Sequence, residues 1–500
     1  MQRVPRLGRA LLAGVAELVD ALDLGSSGKS RVGSSPIART KTGGFCGHLF
    51  LYGVWDSNLF YYFCGIMTVE EIYSRFKECK GVTTDSRKCG PGLMFFALKG
   101  ERFDGNEFVR GALEQGCPYA VMDNTALYDA QDFRMILVDN VLSVLQQVAA
   151  FHRRKLGTPV IGITGTNGKT TTKELTNAVM STTYNVLCTQ GNLNNSIGVP
   201  LTVLGFKPEH EYAIVEMGAS HPGDIMELVE VSQPDYGLIT NVGKAHLLGF
   251  GSFEGVKRTK GELYDWLREH KGTAFVNRDN EHLQQMCAGL PLIEYGKPGQ
   301  EGLLVEGEVL ECNPFVKFRW RSGKGEWHIV QTNLIGAYNV DNALAAITIG
   351  LKFGVSEEKA SEAVAVYKPQ NNRSQLTDTG RNHLVVDAYN ANPTSMAAAI
   401  ENFSMIKADN KMLILGDMRE LGDVSADEHK RIVGLLKERG FDCVWLVGSE
   451  FAAVASDSGY RLFADVDEVN KVLESEKITG KTILIKGSNS IGLTKTITNL

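Results

Sequence analysis

Apolar residues in this chain gather in short runs parted by longer stretches of mixed polarity. Val160-Ile161-Gly162-Ile163-Thr164 has the pattern of a buried strand, and Thr171–Met180 continues as a helix. Similar runs predict strands at Tyr212–Val215, Tyr236–Thr240 and Thr273–Val276, and the Ala-rich run Val340–Leu351 predicts a closing helix. Strands alternating with helical stretches indicate a parallel sheet. Upstream, Leu93–Leu98 and Tyr119–Met122 read as strands between Gly-rich turns, and 143–155 reads as a helix with Val144, Val148 and Phe151 on one face. Downstream, strands are expected at Leu384–Val386, Met412–Leu415, Cys443–Val447 and Thr482–Ile485. The fold class is therefore α/β in three domains, spanning 67–155, 156–366 and 367–500.

Residues 1–66 break this rhythm. Residues 24–44 are rich in Gly, Ser, Lys and Arg, and residues 45–66 are apolar but interrupted by His48, Asp56 and Asn58. A membrane span needs about 20 mostly apolar residues, so no stable membrane insertion is expected. Val15–Ala21 and Arg31–Pro36 resemble the conceptual translation of a transfer-RNA gene. The expected start is Met67, with 1–66 as an artefactual or disordered extension.

Length alone sets a prior of roughly three domains for 500 residues. A net charge of −6 leaves no basic excess for phosphate backbones, so no nucleic-acid partner is expected. The nine cysteines form no C-x-x-C pair, which fits reduced thiols in the cytoplasm better than a zinc site or disulfide framework.

The chemistry concentrates at strand ends. Gly165-Thr166-Asn167-Gly168-Lys169-Thr170, followed by Thr171, lies between a strand and a helix. Glycines let backbone N–H groups approach phosphate oxygens, and the helix N-terminus adds its dipole. Lys169 would reach the β/γ-phosphates of ATP, and the Thr170 hydroxyl would bind Mg²⁺. Ile163 stands where the strict phosphate-loop pattern has glycine, so the loop is a variant. Glu216 ends an apolar strand, where a carboxylate faces the ligand crevice and suits a Mg²⁺ ligand. His246 follows another strand end.

On the next helix, Phe253, Val256, Lys260, Leu263 and Leu267 fall on one face. A lysine there is costly unless it is neutral, paired or snorkelling. Asp387–Pro393 and Leu415–Gly422, with His429 downstream, are polar segments after strands in the last domain.

Together these motifs, in this order, resemble the Mur ligase family over about residues 67–500. The resemblance implies a small first domain for the uridine nucleotide, a central phosphate-loop ATPase-type domain with a parallel sheet and a Rossmann-like last domain. It implies ATP-dependent joining of D-alanyl-D-alanine to UDP-N-acetylmuramoyl-tripeptide through an acyl phosphate, for peptidoglycan synthesis, by a cytoplasmic monomer.

Residue by residue, it implies nucleotide-sugar contacts from Thr84, Asp85, Ser86, Arg87, Lys99, Gly100, Asp104 and Gly105, with Asn106 where members often have His. Asn194 and Asn195 would bind substrate, and Tyr389, Asn390 and Asn392 point to D-alanyl-D-alanine. Asn277 and Asn339 would meet adenine, with Tyr338 where the family usually has His. Arg373 and Asp387 would meet the phosphates and ribose. Two Mg²⁺ ions would be held by Thr170, Glu216, His246 and a carbamylated Lys260, and Lys169, Lys260 and His246 would be the catalytic residues.

A sister enzyme adding the third amino acid would carry Asp-Asn-Pro-Arg in its last domain, which this chain lacks. A folate-type ligase would lack Thr84–Arg87, and a GTPase would carry Asn-Lys-x-Asp, which is also missing. A catalytically dead scaffold would not need Lys169, Glu216, His246 and Lys260 together.

Overall fold

The computed structural model describes residues 67–369, 373 and 375–500. The expected extension, residues 1–66, lies outside the described residues. Three sheets follow one another along the chain. The first is parallel, in the order β1 (Gly81–Thr83), β2 (Leu93–Phe96), β3 (Ala120–Met122) and β4 (Met135–Leu137). The helix Val141–Leu156 then leads into the central domain. It starts on an Asn140 cap and stops at Gly157, whose φ of 68° ends the helix in a left-handed turn. Its Val141, Leu145 and Val148 are fully buried. Its polar side grips the central domain: His152 Nε2 lies 2.9 Å from the Phe206 carbonyl, and Arg153 donates to Asp235 at 2.7 Å.

The central sheet has nine strands: β5 (Val160–Thr164), β6 (Val186–Cys188), β7 (Tyr212–Glu216), β8 (Tyr236–Ile239), β9 (Thr273–Asn277), β10 (Leu292–Gly296), β11 (Val305–Cys312), β12 (Phe315–Ser322) and β13 (His328–Ile335). They run in the order β13-β12-β11-β10-β9-β8-β5-β7-β6. β5 is buried along its whole length between β7 and β8. Ile161 and Ile163 each gain roughly 2 kcal/mol from that burial.

The expectation of a parallel sheet holds from β6 to β11, but β11, β12 and β13 form an antiparallel meander that it did not include. The reason is a one-sided environment. β12 alternates, with Val316, Phe318 and Trp320 buried and the residues between them part-exposed. Helix Asn339–Lys352 covers the buried face with Val340, Leu344 and Ile347.

The third sheet runs β14 (Gln375–Asp378), β15 (His383–Asp387), β19 (Thr482–Lys486), β16 (Lys411–Gly416), β17 (Val444–Val447) and β18 (Arg461–Phe463). Its β14 is antiparallel and the rest are parallel. Every strand expected from the sequence is present, with ends shifted by no more than two residues. No helix among the described residues is long and apolar enough to cross a membrane.

Candidate active site

The C-terminal ends of β5, β7, β8 and β9 open towards the third domain. The crevice there encloses about 1030 Å³. Parallel α/β sheets bind ligands at this edge.

Two glycines shape the phosphate loop. Gly165 has φ 141° and no room for a Cβ, which would collide with Thr240 Oγ1. A Cβ on Gly168, at φ 81°, would lie 2.6 Å from Asn342 Oδ1. The loop is laced to the end of β8: Thr166 N donates to Asn241 O at 2.9 Å, and Thr240 Oγ1 donates to Asn167 O at 2.6 Å. The helix Lys169–Met180 starts immediately afterwards, so its first amides face the crevice. Lys169 Nζ donates to the carbonyls of Gly165 and Thr166 at 2.7 and 3.1 Å. Burial draws its pKa down to about 8; Glu216 opposes this and Arg373 adds to it. Thr171 also lines the crevice.

Glu216 closes β7 and is 1% exposed. Its Oε1 accepts from Thr170 Oγ1 at 3.1 Å and Asn194 Nδ2 at 2.8 Å, while its Oε2 is buried without a partner. An orphaned buried carboxylate oxygen beside a hydroxyl fits a hard cation. Among the described residues no three His, Cys, Asp or Glu side chains form a complete metal cage. A Mg²⁺ there would take its remaining ligands from water and phosphate, as that ion usually does.

His246 lines the same crevice with φ 50°. Its Nδ1 lies against the Glu420 carboxylate of the third domain. Burial lowers its pKa.

Lys260 sits behind this wall and does not line the cavity. It is 2% exposed on helix Phe253–Glu269, between fully buried Val256 and Leu263. Its ammonium lies 5.5 Å from the centre of the Phe250 ring. Burial, then Lys169, holds its pKa well below the ordinary lysine range, against the pull of Asp224 and Glu262. Glu262 is occupied elsewhere, accepting from the amides of Gly223 and Met226 at 2.9 and 2.8 Å. The oddity read from the sequence is therefore a buried amine, not a snorkelling one.

Asn277, Asn339 and Tyr338 line another part of the crevice. Asn277 Oδ1 accepts from Asp279 N at 2.9 Å, and Asn339 Nδ2 donates to Ile335 O at 2.8 Å. From the third domain, the Arg373 guanidinium stacks 3.7 Å over the Tyr389 ring, and its Nε is buried without an acceptor. Asn392 Nδ2 donates to Asn167 Oδ1 at 2.8 Å. Asn194, Asn195, Asp387 and Asn390 line the cavity as well.

The sequence reading assigned no role to Lys486. It is 1% exposed and donates to Asp387 at 2.6 Å and to the Asn390 carbonyl at 3.2 Å. Its signal was available: a charged residue ending the apolar run Thr482–Ile485.

The expected nucleotide-sugar residues form a separate patch. Thr84–Arg87 follow β1, Lys99–Gly105 follow β2 and Asp123 follows β3, all at one edge of a parallel sheet. Arg87 makes a forked pair with Asp85 at 2.8 and 2.9 Å, and Ser86 opens the short turn that Asp85 caps. Lys99 pairs with Asp123 at 2.9 Å. Asn106 is 2% exposed and donates to Asp104 and Asp123 at 2.6 and 2.9 Å. Thr84, Gly100 and Gly105 belong to the same loops. None of these residues lines the central crevice.

Residues 78–153 match the model for the Mur ligase family catalytic domain, 163–350 the Mur ligase middle domain and 372–489 the Mur ligase, glutamate ligase domain. The chain is 36% identical to UDP-N-acetylmuramoyl-tripeptide–D-alanyl-D-alanine ligase of Bacillus subtilis, covering 84% of this chain and 93% of that protein. It is 32% identical to the Escherichia coli enzyme of the same name, covering 83% and 92%. Among solved structures it is similar to MurF from Acinetobacter baumannii, with TM-score 0.76 and 30% identity over 84% of this chain and 93% of that one. It is also similar to the Thermotoga maritima MurF ligase in complex with ADP, with TM-score 0.75 and 25% identity over 85% and 97%.

Proposed function

The chain belongs to the Mur ligase family, and from that premise we propose that it uses ATP to join D-alanyl-D-alanine to the tripeptide carboxyl group of a UDP-N-acetylmuramoyl-tripeptide. The observation that carries this reading is the crevice itself. A phosphate loop, a buried carboxylate with a free oxygen and two polar segments of the third domain converge on one cavity. The separate patch on the first domain suits the nucleotide end of the acceptor.

The chemistry follows from positions. ATP lies with adenine towards Asn277 and Asn339 and its γ-phosphate at the first amides of helix Lys169–Met180. Arg373 and Asp387 approach from the third domain. The tripeptide carboxylate attacks the γ-phosphorus, the bond to the ADP oxygen breaks, and an acyl phosphate forms. Lys169 neutralises charge on the transferring group. The dipeptide amine, oriented by Tyr389, Asn390 and Asn392, then attacks the acyl carbon. Its proton is lost to solvent as the carbon–oxygen bond to phosphate breaks.

Thr170, Glu216 and His246 would hold Mg²⁺, which supplies charge stabilisation when bound. The Lys260 amine, whose pKa burial lowers, is suited to take up CO₂ as a carbamate. The enzyme acts as a cytoplasmic monomer, with domains at 67–155, 156–366 and 367–500. The test is product formation: ATP, UDP-linked tripeptide and D-alanyl-D-alanine should yield a UDP-linked pentapeptide by mass, and recovery of unchanged tripeptide would overturn the reading.

A further inference from the structure

Lys486 ends β19, the strand that lies between β15 and β16 in the third sheet. The register sets it beside Asp387, the last residue of β15, so the two side chains leave the same face of the sheet. The Lys486 side chain is 2% exposed and that of Asp387 18%. From this position the ammonium grips one loop at two points, the Asp387 carboxylate at 2.6 Å and the Asn390 carbonyl at 3.2 Å. Asp387, Asn390 and Lys486 itself all line the crevice.

The grip comes from a fixed base. Gly487 packs so closely on β16 that a Cβ there would lie 3.0 Å from Gly416 Cα, and Ser488 N donates to the Asp417 carbonyl at 3.1 Å. At the far end of the loop, Asn392 caps the next helix. Lys486 holds the near end and the middle. As a stability device it is a poor choice. Taking an ion pair out of water costs about what the pairing returns, and apolar residues of similar volume often serve as well. Ile483, Leu484 and Ile485 just before it are all buried, so an apolar residue would simply continue the run. What a lysine supplies here is several N–H donors at one point, enough to tie a carboxylate to a carbonyl three residues on.

We infer that Lys486 is a positioning residue that sets the Asp387 carboxylate and the Asn390 turn in one arrangement, so that a single buried cation orders the third domain's contacts to both ATP and the dipeptide. This rests on the proposed function, in which Asp387 meets the nucleotide and Asn390 the dipeptide. The two contacts share one support. Its loss therefore disturbs the use of two substrates and spares the third, whose proposed nucleotide patch lies on the first domain.

Three variants of the full chain test it. Lys486→Met keeps most of the stem and removes the donors. It should raise the KM for ATP and the KM for D-alanyl-D-alanine each roughly tenfold, as expected for one lost charged hydrogen bond, and leave the KM for the UDP-linked tripeptide unchanged. Asp387→Asn should raise the KM for ATP alone. The double variant Lys486→Met/Asp387→Asn leaves no carboxylate buried without its cation, so the fold is kept. Its ATP effect should not exceed that of the stronger single variant, while its dipeptide KM stays raised. Lys486→Met with a wild-type KM for either ATP or the dipeptide, or with all three values raised together, would overturn the inference. If Lys486→Met does not fold, the dipeptide KM of the double variant against that of Asp387→Asn decides: a rise supports the inference and equality overturns it. A wild type without dipeptide-dependent ATP turnover would instead overturn the proposed function. Calorimetric affinity for ATP then still decides the role of Lys486, falling roughly tenfold in Lys486→Met if the inference holds and staying unchanged if it does not.

Discussion

Asn392, in the third domain, donates through Nδ2 to Oδ1 of Asn167 in the phosphate loop at 2.8 Å. The same side chain caps helix Pro393–Met405, accepting from Ser395 N at 2.9 Å. One residue thus ties the segment proposed to orient the amine to the loop proposed to hold the phosphate. The two roles separate by substitution. Asn392→Asp keeps the cap but loses the donor and places a charge beside the phosphates, so melting temperature should hold while turnover drops at least tenfold. Asn392→Ala should also lose about 1 kcal/mol of stability. Thermal melts with steady-state kinetics check both.

Lys169 is the cation nearest the transferring phosphate in the proposed mechanism. Lys169→Ala should lower turnover by at least about 100-fold. Calorimetric affinity for the UDP-linked tripeptide should change little, because the patch proposed for its nucleotide lies on the first domain. Loss of both together would place Lys169 in the acceptor site instead.

Glu216 Oε2 is buried with no donor. In the wild type, Mg²⁺ with ATP should raise the melting temperature above that given by ATP alone. Glu216→Gln should abolish that increment while leaving the ligand-free protein nearly as stable, since Thr170 and Asn194 can still donate to the amide oxygen. Scanning fluorimetry with and without Mg²⁺ reads this directly.

Lys260 gives a pH signature. Its unfolded pKa is near 10.5, and burial holds the folded value well below that. Between the two values the unfolded chain binds the extra proton, so stability rises with pH through the window. Burial of the amine therefore costs stability at neutral pH, and the cost fades as pH approaches 10.5. In CO₂-free buffer, Lys260→Met should be more stable than the wild type at neutral pH, and the gap should narrow as pH rises. Lys260→Ala should be slow and partly rescued by small carboxylic acids, which can stand in for the proposed carbamate.

Much of this arrangement was legible in the sequence because it is local. The strand Val160–Thr164, the glycines that follow and the helix after them are contiguous, and each dictates the next. Lys260 stood out because helical spacing alone placed it among apolar neighbours. The meander β11–β13 was missed although Phe315–Ser322 alternates buried and part-exposed positions, a period-two signal that a search for parallel strands passes over. Glu420 lay within a segment noted for its polar residues, yet it meets His246, far away in the chain and on another domain. Lys486 became meaningful only once β19 was seen beside β15, bringing it to Asp387. Contacts between domains are set by packing, and one-dimensional spacing carries no trace of them.

The central claim is that ATP cleavage serves to couple two specific substrates. The most direct test follows phosphate release with ATP and UDP-N-acetylmuramoyl-tripeptides ending in lysine or diaminopimelate, with and without D-alanyl-D-alanine. Sustained release that requires both the tripeptide and the dipeptide is the predicted result. Sustained ATP turnover that continues at the same rate without D-alanyl-D-alanine would contradict it.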